Sequence, residues 1–213
     1  MIIASASTST IGEMKATLRE KLLYNAKWST EADALVESLL ALSDAPADTM
    51  IPDGRYTLLS SGEFATTLRR ATPRFDTPLL PGAPVVAHID GEELQVEAEM
   101  LVVGCATGLR LRGTITPDGR TLGVQLQAGE FFEPSEEFGI SKALKKCEEV
   151  LRPKLPTADA PLSATLEMMH LDDEWVVLRT EAVANDDAPP LMFVLERITA
   201  PEKSTDDLMD KYW

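Results

Sequence analysis

The change of hydrophobic period at Gly54 constrains this chain more than any other feature. Before it, apolar residues recur every third or fourth position; after it, they alternate with polar ones almost to the end. "EELQVEAEMLVV" is the clearest case, with Leu94, Val96, Ala98, Met100 and Val102 on one face and Glu93, Gln95, Glu97 and Glu99 on the other. A strand with that pattern has one dry and one wet side. "LRLRGTI" sets Leu109, Leu111 and Ile115 against Arg110, Arg112 and Thr114, "PDG" at Pro117 to Gly119 turns the chain, and "RTLGVQLQ" returns with Leu122, Val124 and Leu126. That is a β-hairpin, and the wet-face glutamates are expected to meet Arg110 and Arg112 across the ladder.

Strand patterning resumes in "LSATLEMMHL", "EWVVLRTEAV" and "PLMFVLERI", after one helical stretch, "GISKALKKCEEVLRP", that Ser141 caps and Pro153 stops. The count reaches eight or nine strands suited to antiparallel neighbours. Such a sheet buries its dry face by folding into a sandwich or closing into a barrel, and closure also removes the edges, so a barrel is expected. At about eight strands its interior holds side chains or one small apolar ligand.

Two amphipathic helices are expected ahead of the strands. Met14, Leu18, Leu22 and Ala26 recur at every fourth position beside Leu23, and Thr30 starts a second helix with Leu35, Leu39 and Leu42 as its stripe and Asp33 answering the cap. Their polar faces are mixed or acidic rather than basic, so the stripes are expected to pack on the rest of the protein. The expected division is residues 1–10 as a disordered start or transit-peptide remnant, 11–50 as helices, 51–200 as the barrel, and 201–213 as an acidic tail.

A net charge of −15 repels phosphate backbones, and no basic stripe offsets it, which argues against nucleic acid as a partner. No apolar run is long enough to span a bilayer as a helix. Cys105 and Cys147 have no CxxC or His neighbours and read as buried thiols in a reducing compartment. His88 and His170, the two imidazoles, stand in no HExxH motif, and neither GxSxG nor a Gly-rich phosphate loop occurs, so no metal, cofactor or catalytic set is expected.

Three blocks carry a family resemblance. Asp53, Gly54, Arg55, Tyr56, Thr57, Leu58, Leu59 and Ser60 stand where one family has Asp-Gly-x-Trp-x-Leu-x-Tyr. The run from His170 through Leu171, Asp172, Asp173, Glu174, Trp175, Val176, Val177 and Leu178 to Arg179 answers Tyr-Leu-Asp-Glu-x-Leu-Arg-Ile-x-Arg. Met192, Phe193, Val194, Leu195, Glu196 and Arg197 match a closing Leu-Phe-Val-Leu-x-Arg. In block order and spacing the chain resembles the plastid lipid-associated proteins, or plastid fibrillins. Tyr56, Ser60, His170 and Val176 depart from the family's Trp, Tyr, Tyr and Arg.

The resemblance implies a fold of mainly β (α+β) class: an antiparallel, lipocalin-like barrel with N-terminal helices and one helix inserted before the last strands. It implies a non-enzymatic chloroplast protein, soluble or peripheral to thylakoids or plastoglobules, that binds an isoprenoid, quinone or fatty acid. Two alternatives stand beside it: a cavity enzyme of bilin lyase or cyclase type, and an acidic scaffold for another plastid protein. The residues expected on the cavity wall are Tyr56, Leu58, Val96, Met100, Leu111, Leu126, Met168, Trp175, Arg179 and Phe193, with Tyr56 as a plug at the closed end and Arg179 and Arg197 near a barrel end.

Overall fold

A computed structural model describes residues 3–24, 30–42, 50–59, 84–102, 105–132, 155–180 and 190–199. Eight strands, β1 (Gly54–Leu58), β2 (Val85–Asp90), β3 (Glu93–Val102), β4 (Cys105–Asp118), β5 (Thr121–Phe132), β6 (Leu162–Leu171), β7 (Trp175–Thr180) and β8 (Met192–Arg197), form one closed ring in chain order. Every neighbouring pair is antiparallel, and Tyr56, Thr57 and Leu58 of β1 close the ring against Arg197, Glu196 and Leu195 of β8. The expected mainly β barrel with helices ahead of it is the fold observed. The inserted helix, Cys147 and the 201–213 tail lie outside the described residues.

The two ends of the ring differ. At one end the links are short: Gly91 (φ 58°) turns β2 into β3, Gly119 (φ 60°) turns β4 into β5, and Asp172 to Glu174 join β6 to β7. Both glycines sit in the left-handed region that side chains avoid. At the other end β3 passes to β4 through two residues, 103–104, and the chain leaves β1, β5 and β7 on the longer connections 59–84, 133–161 and 181–191.

Bulges reset the inward face twice. Arg112 lies opposite Ala128 but Gly113 lies opposite Leu126, so Gln127 is the extra residue. Leu122 and Leu126 are buried before it, and Phe131 after it, which strict alternation would have turned outward. In β6, Met168 faces Leu178 while His170 faces Val177, so Met169 is the extra residue and His170 lies on the outer face.

On the wet side of β3, β4 and β5 the expected charge ladder is present. Arg110 pairs with Glu97 at 2.7 Å and Glu130 at 2.9 Å, Arg112 pairs with Glu130 at 2.9 Å, and Arg110 lies over the Phe132 ring. Such exposed pairs stabilise by about 0–1 kcal/mol each.

Two helices, α1 (Ile3–Tyr24) and α2 (Thr30–Leu42), cover the outer face of β7 and β8. Leu18, Leu22, Ala32, Val36 and Leu39 pack there with Leu59, Trp175, Val177 and Val194. β7 and β8 are therefore apolar on both faces, which is why they read as "WVVL" and "MFVL" rather than alternating.

Three expectations are corrected. α1 begins at Ile3, so residues 3–10 are helical where a disordered start was one of the two expectations, and Ile11 packs against the cluster beneath the helix. The buried stripe of α2 is Ala32, Val36 and Leu39, not Leu35, Leu39 and Leu42; Leu42 is 47% exposed. Both stripes have helical spacing, and the side facing α1 and the barrel decides between them. β2 was missed as a strand because its six residues are short for a pattern and follow a Pro-rich stretch.

Candidate functional site

The ring encloses a cavity of about 150 Å³. Its wall is built from inward positions on all eight strands: Leu58, Val96, Leu126, Ala164, Leu178 and Phe193 are representative, and among the described residues Ser163 is the single polar one lining it. A carboxylate or amine would find no charged partner among those described residues, so the lining favours apolar matter.

Ile51, ahead of β1, lines the cavity, and Tyr56 of β1 is 1% exposed in the interior core, with its hydroxyl donating to the Pro52 carbonyl at 2.7 Å. Burial pushes that hydroxyl's pKa up. Arg197 donates from Nη2 to the Asp53 carbonyl at 2.9 Å, and Asp53 Oδ1 accepts from the Gly91 N–H at 2.8 Å. Elsewhere the interior is filled: Gly129 leaves space that Leu155 occupies beside Leu111.

Of the expected wall residues, Leu58, Val96, Leu126 and Phe193 line the cavity. Tyr56, Leu111 and Met168 are buried in the same interior core without lining it. Met100 sits in β3 opposite Thr107, and its side chain lies outside what is described. Trp175 and Arg179 are corrections, since both face outward. Val177 pairs with Val194 and Leu178 with Phe193, so the Trp175–Val177–Arg179 face and the Phe193–Leu195–Arg197 face lie on opposite sides of the wall. Alternation defines two faces but not which one is inside when helices bury both. Arg179 pairs with Glu167 at 2.5 Å. Ile115, Leu166 and Leu195 also line it and share the alternation of Leu111, Met168 and Phe193, so parity within each strand reaches them; Ile89 lies on β2, which the sequence pattern did not mark.

A second polar cluster lies beneath α1. His170, 4% exposed, has Nε2 at 2.9 Å from Asp172 Oδ2, and the same oxygen accepts from Lys15 Nζ at 2.6 Å. Asp172 Oδ1 accepts the backbone N–H groups of Glu174 and Trp175. Burial pushes the Asp172 carboxyl up, but His170, Lys15 and those two N–H groups outweigh it and hold it well below the usual carboxylate range. An ionised Asp172 only accepts, so His170 donates from Nε2, and its buried Nδ1 has no partner among the described residues. Neither residue reaches the cavity. Among the described residues no three His, Cys, Asp or Glu side chains converge for a metal ion, and no helix is long and apolar enough to cross a membrane.

The lowered Asp172 value has a consequence for stability. Its contribution is complete above the ordinary aspartate pKa of about 3.9 and is lost as pH falls through the lower folded value. Urea unfolding across a pH series is expected to show Asp172→Asn less stable than the parent at neutral pH, with the gap closing only in strong acid. A gap independent of pH would remove the ionised carboxylate from the account.

Fold and site together define a class: a closed, eight-stranded antiparallel barrel with an apolar interior and a helical pair on its outer wall. No protein-family model matches the chain, and no curated protein matches its sequence.

Proposed function

We propose that this protein is a non-enzymatic binder or carrier of apolar molecules, similar to the plastid lipid-associated proteins, working at thylakoid or plastoglobule surfaces in the chloroplast. The observation that carries this reading is the cavity: about 150 Å³, apolar but for Ser163, inside a closed barrel. An apolar cavity of about that size stays dry and takes up benzene-sized guests, whereas pockets that swallow a drug-sized ligand run to about 300–1,000 Å³. The reading therefore narrows to the ring or chain end of an isoprenoid, quinone or fatty acid, inserted without its polar group. The His170–Asp172 pair lies on the far side of the wall, and among the described residues lining the cavity none carries a carboxylate, imidazole or amine, which favours binding over the cavity-enzyme alternative.

The test is uptake. Benzene or indole added to the protein is expected to shift the methyl resonances of cavity residues such as Leu126 and Leu178, and solvent extraction of protein purified from its source is expected to yield an apolar molecule. Ala164→Phe places a ring in the cavity and is expected to reduce uptake at least tenfold while the barrel still folds. Unshifted methyls together with an empty extract would overturn the proposal.

A further inference from the structure

The way α1 is held points to a second binding partner. α1 carries three cations, Lys15, Arg19 and Lys21, against two acids, Glu13 and Glu20, within a chain of net charge −15. All three cations are neutralised in the folded molecule. Lys15 pairs with Asp172 at 2.6 Å and Glu174 at 3.3 Å, Arg19 with Glu196 at 2.6 Å, and Lys21 with Glu31 of α2. Leu18 lies between the first two and Leu22 one turn beyond it, both buried in one cluster with Trp175, Val177 and Val194. The outer strip of β7 and β8 thus offers α1 an apolar centre inside an anionic rim.

An anionic lipid surface offers the same chemistry: hydrocarbon below a layer of negative head groups. We infer that α1 exchanges between the β7–β8 strip and an anionic lipid surface, using Leu18 and Leu22 as the inserted face and Lys15 and Arg19 as the head-group contacts in both. The two sites compete for one helix, so weakening its hold on the barrel raises the share available to lipid. The barrel, with its net negative charge, is repelled from such a surface. The inference rests on the surface association in the proposed function and makes no use of the cavity, so uptake of benzene and binding to vesicles fail separately.

The experiment is co-sedimentation of the full chain with phosphatidylglycerol vesicles, with phosphatidylcholine vesicles alongside. Glu174→Gln with Glu196→Gln keeps the acceptors while removing two rim charges, and is expected to raise binding to phosphatidylglycerol about three- to tenfold, since each pair contributes ~0.2–1 kcal/mol. Glu37→Gln with Glu92→Gln changes net charge equally away from the strip and is expected to leave binding near the parent's. Lys15→Ser with Arg19→Ser frees the helix but removes its head-group contacts, and is expected to abolish binding. Far-UV circular dichroism verifies that each variant keeps its barrel. Equal gains in the two glutamine pairs, retained binding by the serine pair, equal binding to phosphatidylcholine, or self-association of the rim variant in place of vesicle binding would each overturn the inference.

Discussion

Gly113→Ala is expected to cost more stability than any other single methyl added to the barrel. A Cβ at this position would lie 1.8 Å from the Gln125 carbonyl oxygen and 2.7 Å from the Leu126 Cα. Both obstacles are main chain, fixed by the ladder between β4 and β5 where Gln127 bulges. Ordinary overpacking costs about 1–3 kcal/mol because side chains yield; here the strand itself must move, and a loss beyond that range is expected. Set against a total stability of about 5–15 kcal/mol, that is enough to leave much of the protein unfolded or insoluble. Gly123→Ala in the same hairpin is the control. Its Cβ would meet only Thr116, at 3.6 Å or more, and the substitution is expected to be neutral or slightly stabilising. Urea midpoints decide: equal values for the two variants would show that Gly113 is not a fixed corner of the wall.

The second large effect lies outside the barrel. Trp175 is 2% exposed, packed with Leu18, Val36 and Val177 between α1, α2 and the wall. Its Nε1 donates to Glu196 Oε1 at 3.3 Å, and Lys15 Nζ lies 5.7 Å from its ring centroid. Trp175→Ala removes that packing together with the surface on which Lys15 rests, and truncations of buried Trp cost about 3–5 kcal/mol. The loss is expected to be uneven. Hydrogen exchange is expected to speed up in α1 and α2 while β3, β4 and β5, which add no residue to the buried cluster beneath the helices, keep their protection. Uniform loss across the barrel would mean that helices and wall unfold as one unit.

The contrast between β3 and β7 explains what could be read from the chain. β3 has water on one side, so Leu94, Val96 and Ala98 announce the interior by alternation alone, and Gln95 and Glu97 announce the exterior. β7 has water on neither side, and nothing in "WVVL" says that Val176 and Leu178 point inward while Trp175 and Val177 point to the helices. Trp175 and Arg179 were placed on the wrong side for that reason. The bulges at Gln127 and Met169 have no composition of their own, and each shifts parity for the rest of its strand. The pairing of His170 with Asp172, two positions on, is local, but the meeting of Asp172 with Lys15, 157 positions earlier, depends on where α1 docks. Closure, by contrast, was readable, because eight or nine half-dry strands have few other ways to hide one face.

The unequal links at the two ends of the ring divide its tolerance of change. Shortening or lengthening the links at Gly91, Gly119 or Asp172 to Glu174 would slide whole strands past one another. At the opposite end the two-residue link 103–104 is held as tightly, but the connections 59–84, 133–161 and 181–191 span enough chain to absorb insertions without disturbing that alignment. A lineage of such barrels can therefore diversify what passes its rim at one end while the other stays a fastened base.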